Sequence, residues 1–281
     1  MQDFKMEKVN YLDHGFVELV DVLGDDNSIA NAARTSYLNT QEKTDEENAR
    51  LVSYLVEHNH TSPLEMAEMV FRIKMPIFVM RQHIRHRTAN VNEQSLRYVV
   101  SDGDYYLPPV KRFKTSHKTN KQGSGDVMEE HIALTCQELI KDISDRAWAS
   151  YNLLVKAGLS KEVSRMVLPV NFYTTCVWKM DLNNLLKYLS LRNDPHAQEE
   201  IQELAQIIEK MVEKKFPAVY SSYIKHKKDS LSFSAEEQEI LKEYFSLSTE
   251  EQINYDWGKH GQRKKDKIYN KLGKIFNKDM I

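Results

Sequence analysis

The sequence predicts an α+β fold on three observations. Apolar residues recur at helical spacing through several long segments, two shorter stretches have strand character, and glycine is scarce, with nine in 281 residues. The shortage excludes the backbone phosphate cradles of doubly wound nucleotide-binding folds. No G-x-x-x-x-G-K-[ST] or G-x-G-x-x-G is present, and Gly123-Ser124-Gly125 reaches Met128 where a third glycine is needed. Any nucleotide phosphate must therefore be held by side chains. With 39 Lys and Arg against 41 Asp and Glu, net charge −2, no cationic coat covers the whole chain. Cys136 and Cys176 are too few for a disulfide framework or a cysteine zinc site, which predicts a reducing, cytoplasmic setting. The first residues contain no apolar signal region, and no apolar run approaches the roughly 20 residues of a membrane span.

Along the chain, Leu51, Val52, Leu55 and Val56 give residues 46–58 a helical period, and Asn59-His60-Thr61-Ser62-Pro63 breaks it as a turn. From Met69 to Met75 apolar and polar residues largely alternate, predicting a half-buried strand, and Pro76 suits the first position of a helix over 76–86. Residues 88–98 are polar and irregular, 105–109 extended, and 114–126 a Lys/Ser/Gly/Asn-rich mobile loop. A long helix follows through Ile132, Leu139, Ile140, Ile143, Trp148, Tyr151 and Leu154, capped by Gly158. The β-rich run 171–180 predicts a strand, Asp181 a helix N-cap, and 196–216 an amphipathic helix ended by Pro217. Beyond about residue 226 a Lys-rich helical extension begins, with eight Lys or Arg between 259 and 278 against Asp266.

Chemistry concentrates in residues 81–97, where Arg81, Arg85, Arg87 and Arg97 accompany His83 and His86 with one acid, Glu93. One such cation is most simply a helix-end residue favoured by the dipole, but the whole cluster exceeds that need. Planar guanidiniums grip phosphate bidentately, and Gln94 and Ser95 offer groups for the polar edges of a base. A second segment, His58 to Glu65, brings His60, Ser62 and Glu65 onto one turn. Ser62-x-x-Glu65 around Pro63 is equally a capping box, and the histidine spacing does not match helical zinc sites. Arg165 before Val167-Leu168-Pro169, and Arg192 before His196-Ala197-Gln198, could close a pocket around an anion.

In these residues the chain resembles the flavin-dependent thymidylate synthases. That family's signature is Arg-His-Arg, seven residues, then Ser, and it stands here as Arg85-His86-Arg87 and Ser95, extended by Arg97-Tyr98. His60-x-Ser62-Pro63-x-Glu65, the run Pro76 to Gln82, Arg165 before Val167-Leu168-Pro169, and Leu191-Arg192 with His196-Ala197-Gln198 also agree, so the resemblance spans roughly 10–225, taken as the catalytic domain (1–225), and leaves 226–281 outside. It implies a mostly antiparallel or mixed sheet flanked by long helices, a homotetramer with active sites shared between subunits, and reductive methylation of dUMP to dTMP. The methylene would come from 5,10-methylenetetrahydrofolate and the electrons from NADPH through tightly bound FAD, with no metal. Neither cysteine sits in a basic segment, which fits a route in which the reduced cofactor, not a thiolate, does the hard chemistry.

Carried over by position, Gln82, Arg85, Glu93, Gln94, Ser95, Arg97 and Arg165 would hold dUMP. Arg192 would face the uracil ring and stabilise charge as N3 ionises. His60, Ser62, Glu65, Arg85, His86, Arg87, Thr88 and Glu93 would contact FAD. The family's Asn-x-Arg and the Asn or His four residues on are replaced here by Asp181-Leu182-Asn183 and Lys187, which stand at the corresponding FAD-contacting positions. A different class of reading makes 81–97 and 259–278 the phosphate contacts of a nucleic-acid-binding protein. A zinc hydrolase around His58, His60 and Glu65 ranks lower, and a flavin-dependent RNA methylase lacks its expected glycine fingerprint.

Overall fold

The computed structural model describes residues 7–37, 43–116 and 124–275. They fall into two compact units, Met1–His226 and Lys227–Ile281. In chain order the first unit runs β1 (Glu7–Tyr11), β2 (Gly15–Leu23), α1 (Asp26–Arg34), α2 (Asp45–Glu57), β3 (Glu68–Pro76), α3 (Ile77–His83) and β4 (Asn90–Glu93). It continues with β5 (Lys114–Ser116), β6 (Ser124–Val127), α4 (Glu130–Lys156), α5 (Lys161–Ser164), β7 (Tyr173–Asp181), α6 (Leu182–Arg192), α7 (Glu199–Lys215) and α8 (Pro217–Tyr223). The second unit holds α9 (Ala235–Ser246), α10 (Thr249–Ile253) and α11 (Gln262–Leu272).

The main sheet has the order β1-β2-β3-β7-β4, and every neighbouring pair is antiparallel. Strand period two explains its buried face: Met69, Phe71, Ile73 and Met75 of β3 lie beside Cys176, Trp178 and Met180 of β7, all within the core. Helices α1, α2, α6, α7 and α8 cover that face with Ile29, Val52, Leu185, Leu204, Ile208 and Val219. Asp26 of α1 accepts hydrogen bonds from the Ala218 and Val219 amides at 2.8 and 3.1 Å, so Pro217 opens α8 as well as closing the preceding helix.

Several elements depart from expectation. The hairpin β1–β2 is absent from the sequence reading because a register shift between Leu19 and Asp21 leaves Val20 unmatched and breaks the alternation. Pro76 is the last residue of β3 and the N-cap of α3, and α3 ends at His83 rather than at residue 86. There the amides of Arg85 and His86 turn back to Gln82 and His83. Residues 90–93 form β4, an edge strand whose four side chains are all exposed, so only its backbone pairing with β7 betrays it. The loop expected at 114–126 contains the β5–β6 ladder, while 117–123 lie outside the described residues.

Helix α4 is apolar on two faces. Ala133 and Tyr151 are buried, with Trp148 packed beside Tyr151 and against Gly103, where a Cβ would come within 2.7 Å of the indole. On the other face Leu139, Ile143 and Leu153 are 58, 48 and 67 % exposed. Periodicity identifies both sets as apolar without saying that two different partners must cover them.

The Lys227–Ile281 unit has its own small core of Ile240, Ile268 and Leu272. Four of its lysines are answered by its own acids: Lys259 pairs with Glu243, Lys264 with Glu236, and Lys267 and Lys271 with Glu237. Those four lysines are therefore not a bare phosphate-binding surface.

Candidate active site

The signature residues occupy the C-terminal end of α3, the exposed chain after it, β4, and the turn beyond. Backbone pairing fixes the β4 end of this segment. Glu93 ends β4 and accepts from the Thr174 hydroxyl at 2.8 Å, and the Gln94 amide extends the ladder by donating to the Thr175 carbonyl at 2.8 Å. Ser95 closes a turn, its carbonyl accepting from the Tyr98 amide at 3.0 Å and its hydroxyl from the Arg97 amide at 3.3 Å. No base activates that hydroxyl among the described residues, and its one hydrogen bond here helps to close the turn. Arg97 lies 3.3 Å from Glu162 of α5, which brings the 95–98 turn beside the helical turn that carries Arg165. Arg81, Arg85, Arg87 and Arg165 are exposed and pair with no carboxylate of the described residues. Four unneutralised guanidiniums in these segments form a field suited to phosphate groups.

Arg192, at the end of α6, meets α3 directly: its Nη2 donates to the Gln82 carbonyl at 2.9 Å. Its Nε is buried without a partner among the described residues, as is Nε2 of His83. The sequence reading counts His83 with the cations, and the structure corrects it. The imidazole is fully buried against Trp178, with Nδ1 3.0 Å from the Tyr188 hydroxyl. Burial, then the nearby His86 and Arg192, holds its pKa down to about 3, so it adds no charge. His86, edge-on to Tyr188, is also lowered, by partial burial and by Arg192. The cationic character here belongs to the arginines.

A pH dependence follows from His83. The unfolded chain takes up this proton near pH 6.5 and the folded chain does not, so stability falls as pH drops from about 6.5 toward 3, by about 1.4 kcal/mol per unit. Urea unfolding at pH 7 and pH 5 should show a loss about 2 kcal/mol smaller in His83→Gln than in the parent chain.

Of the residues expected to hold FAD, Arg85, His86, Arg87, Thr88 and Glu93 lie on the signature segment, and the structure brings one further pair together. Glu65 and Asn183, 118 positions apart, are joined by a 3.1 Å hydrogen bond from Asn183 Nδ2 to Glu65 Oε1. Asp181 caps α6, its carboxylate accepting from the Asn184 amide at 2.9 Å and side chain at 2.6 Å. Lys187 lies exposed one turn after the buried Asn183. His60 and Ser62 line a groove of about 680 Å³ with Arg34, Leu51, Tyr54, Pro63 and Met66. Thr88 is exposed beyond His86. Apolar and aromatic walls suit a planar ring system, and unpaired arginines at 85 and 87 suit a pyrophosphate, so the chain's own residues fit a flavin dinucleotide. Among the described residues no cluster of His, Cys, Asp or Glu could hold a metal ion. Burial, then Glu93, pushes the Cys176 thiol up to about 12, which removes it as a nucleophile.

Sequence reasoning assigned no role to Gln198, Glu200 or Arg112. Gln198 stands in a segment that agrees with the family, whereas Arg112 and Glu200 carry little signal because they meet across 88 positions.

The pattern of the family described as "Thymidylate synthase complementing protein" matches residues 18–218. The flavin-dependent thymidylate synthase of Ehrlichia ruminantium (strain Gardel) is 42 % identical over 242 residues, 86 % of this chain and 81 % of that protein. The Thermus thermophilus protein of the same name is 39 % identical over 262 residues, 93 % of this chain and 95 % of its own. Among solved structures, the UMP/dUMP methylase PolB from Streptomyces cacaoi, bound with 5-Br dUMP, superposes with a TM-score of 0.71 at 27 % identity, covering 78 % of this chain and 99 % of that one. The chain, which carries the signature as Arg85-His86-Arg87 and Ser95, belongs to the flavin-dependent thymidylate synthase family.

Proposed function

We propose that this protein converts dUMP to dTMP, taking the methylene group from 5,10-methylenetetrahydrofolate, releasing tetrahydrofolate, and drawing the reducing electrons from NADPH through bound FAD. The observation that carries it is the set of guanidiniums at 81, 85, 87 and 165, unpaired within the described residues, with Arg192 close by on Gln82. Bound FAD supplies the hydride chemistry. The protein's part is to bind, orient and polarise. Arg85, Arg97 and Arg165 hold the nucleotide phosphate, while Gln82, Glu93, Gln94 and Ser95 orient sugar and base. Arg192 keeps a positive charge against the uracil ring, favouring ionisation at N3 and making C5 the better nucleophile. His60, Ser62, Glu65, Arg85, His86, Arg87, Thr88, Glu93 and Asn183 hold FAD, with Lys187 adding charge where the family's arginine is missing and Asp181 fixing the start of α6.

The site is open within one chain, and the outward apolar face of α4 supports closure by further copies in a homotetramer. Met166, Val170 and Tyr98, beside the arginines, are also exposed. Leu139→Glu is expected to move the protein to smaller species in light scattering and to lower turnover together with assembly. Unchanged mass would remove this face from the interface. No helix of the described residues is long and apolar enough to cross a membrane. A cytoplasmic setting suits the two free cysteines, and no specific nucleic acid is a partner. The 227–281 unit is an accessory domain in this scheme. Its deletion should leave flavin retention and the response to dUMP unchanged.

The deciding experiment is the visible spectrum after loading with FAD and removing the excess. Retained flavin bands, perturbed by dUMP and bleached by NADPH, with dTMP formed only when the folate is added, support the reading. A protein that keeps no flavin with or without dUMP overturns it.

A further inference from the structure

Behind Gln82 a line of side chains runs inward to a buried charge. Glu200, on the first turn of α7, is 3 % exposed, and its carboxylate receives Arg112 Nε at 2.7 Å and Nη2 at 3.1 Å. Tyr106 adds its hydroxyl at 3.3 Å. Burial alone would raise the Glu200 pKa, but the Arg112 guanidinium and its other hydrogen bonds overcome it and hold the carboxyl below its ordinary range. Glu200 is therefore ionised at neutral pH and only accepts hydrogen bonds.

Gln198 Nε2 donates to Glu200 Oε2 at 2.7 Å, and Gln198 Oε1 accepts from Gln82 Nε2. A side-chain amide can ordinarily be turned end for end, exchanging donor and acceptor. Here it cannot, because turning Gln198 would set a carbonyl oxygen against a carboxylate. The polarity of Glu200 thus fixes Gln198, and Gln198 fixes Gln82. What Gln82 retains for another molecule is its Oε1 acceptor and one N–H. Its backbone carbonyl meanwhile receives Arg192 at 2.9 Å, so one residue joins the relay to the cation of the site.

We infer that Gln198 is a positioning residue for nucleotide binding, and that the Glu200–Arg112 pair sets the direction in which Gln82 presents its amide to dUMP. This rests on the dUMP reading above. A preset amide spares the ordering that a freely rotating Gln82 would undergo on binding, so its effect belongs in substrate affinity rather than in the chemical step.

The test is Gln198→Met, which keeps length and removes the amide. With FAD loaded, KM for dUMP should rise about ten-fold, the equivalent of one orienting hydrogen bond, with kcat within about two-fold of the parent and the flavin spectrum unaltered. Glu200→Gln, which keeps shape and lets residue 198 turn, should move KM in the same direction. A folded, flavin-loaded Gln198→Met with KM for dUMP within about two-fold of the parent would overturn the inference, as would a loss confined to kcat or to flavin retention. Should Gln198→Met fail to fold, Gln198→Ser carries the same expectations. Failure of the parent protein to respond to dUMP is a separate result, and it would strike the functional reading instead.

Discussion

Arg192→Ala is expected to lower kcat with dUMP by about 10²–10³-fold, the scale of removing one preorganised group that stabilises developing charge. Arg192 spends one hydrogen bond on the Gln82 carbonyl, and its Nε is buried with no partner among the described residues. A guanidinium N–H buried without a partner is unfavourable to stability alone, which supports the proposed role of Arg192 in charge stabilisation. Arg192→Lys keeps the charge but loses the planar fork, and should recover only part of the rate. Steady-state kinetics on flavin-loaded protein distinguish these cases. An alanine variant within about five-fold of the parent would remove Arg192 from the catalytic machinery.

The largest stability effect is expected at Arg112. Arg112→Met leaves the Glu200 carboxylate buried without its counter-ion, a change of about 3–5 kcal/mol. At about 2–4 °C per kcal/mol for a unit of this size, Tm should fall by roughly 6–20 °C in a calorimetric scan at pH 7. The sign of its pH dependence is also fixed. In the parent, the lowered Glu200 pKa contributes stability that is present above about pH 4.5 and is lost as pH falls through the lower folded value. Without Arg112 the burial that raises the pKa is opposed only by the remaining hydrogen bonds, protonation relieves the unpaired charge, and the difference in Tm should narrow as the solution is acidified. A difference that stays constant with pH would mean that Arg112 acts through packing rather than through Glu200.

The strongly periodic parts of the fold were readable in the sequence: α2, β3, α4, β7 and the Asp181 cap all lie close to where residue patterns put them. What escaped lacked a side-chain signature. The bulge at Val20 hides β2, and β4 is polar because nothing covers its side chains. In the site, the signature arginines could be read because charge clustering is local. The burial of His83 was missed although it stands three and four positions after Met80 and Val79, both buried, which marks the apolar side of α3. The relay through Gln198 could not be read, since Gln82, Arg112 and Glu200 meet only after the sheet and α7 have formed. The acids that pair with four lysines of the Lys-rich segment were visible in α9, but their pairing depends on how that unit packs.

Strand β4 carries a consequence for the order in which the site forms. It is four residues long, lies at the sheet edge, buries no side chain and is held to the sheet by its ladder with β7 and the Glu93–Thr174 hydrogen bond. Local opening of such an edge takes far less free energy than opening β3 or β7, so its amides belong to the fast-exchanging end of the molecule. Glu93, and the Gln94–Ser95 turn that continues it, therefore ride on the least protected strand of the sheet. A nucleotide gripping them would stitch that edge closed, and part of its binding energy would be spent on ordering the strand, so the substrate would complete the surface that recognises it.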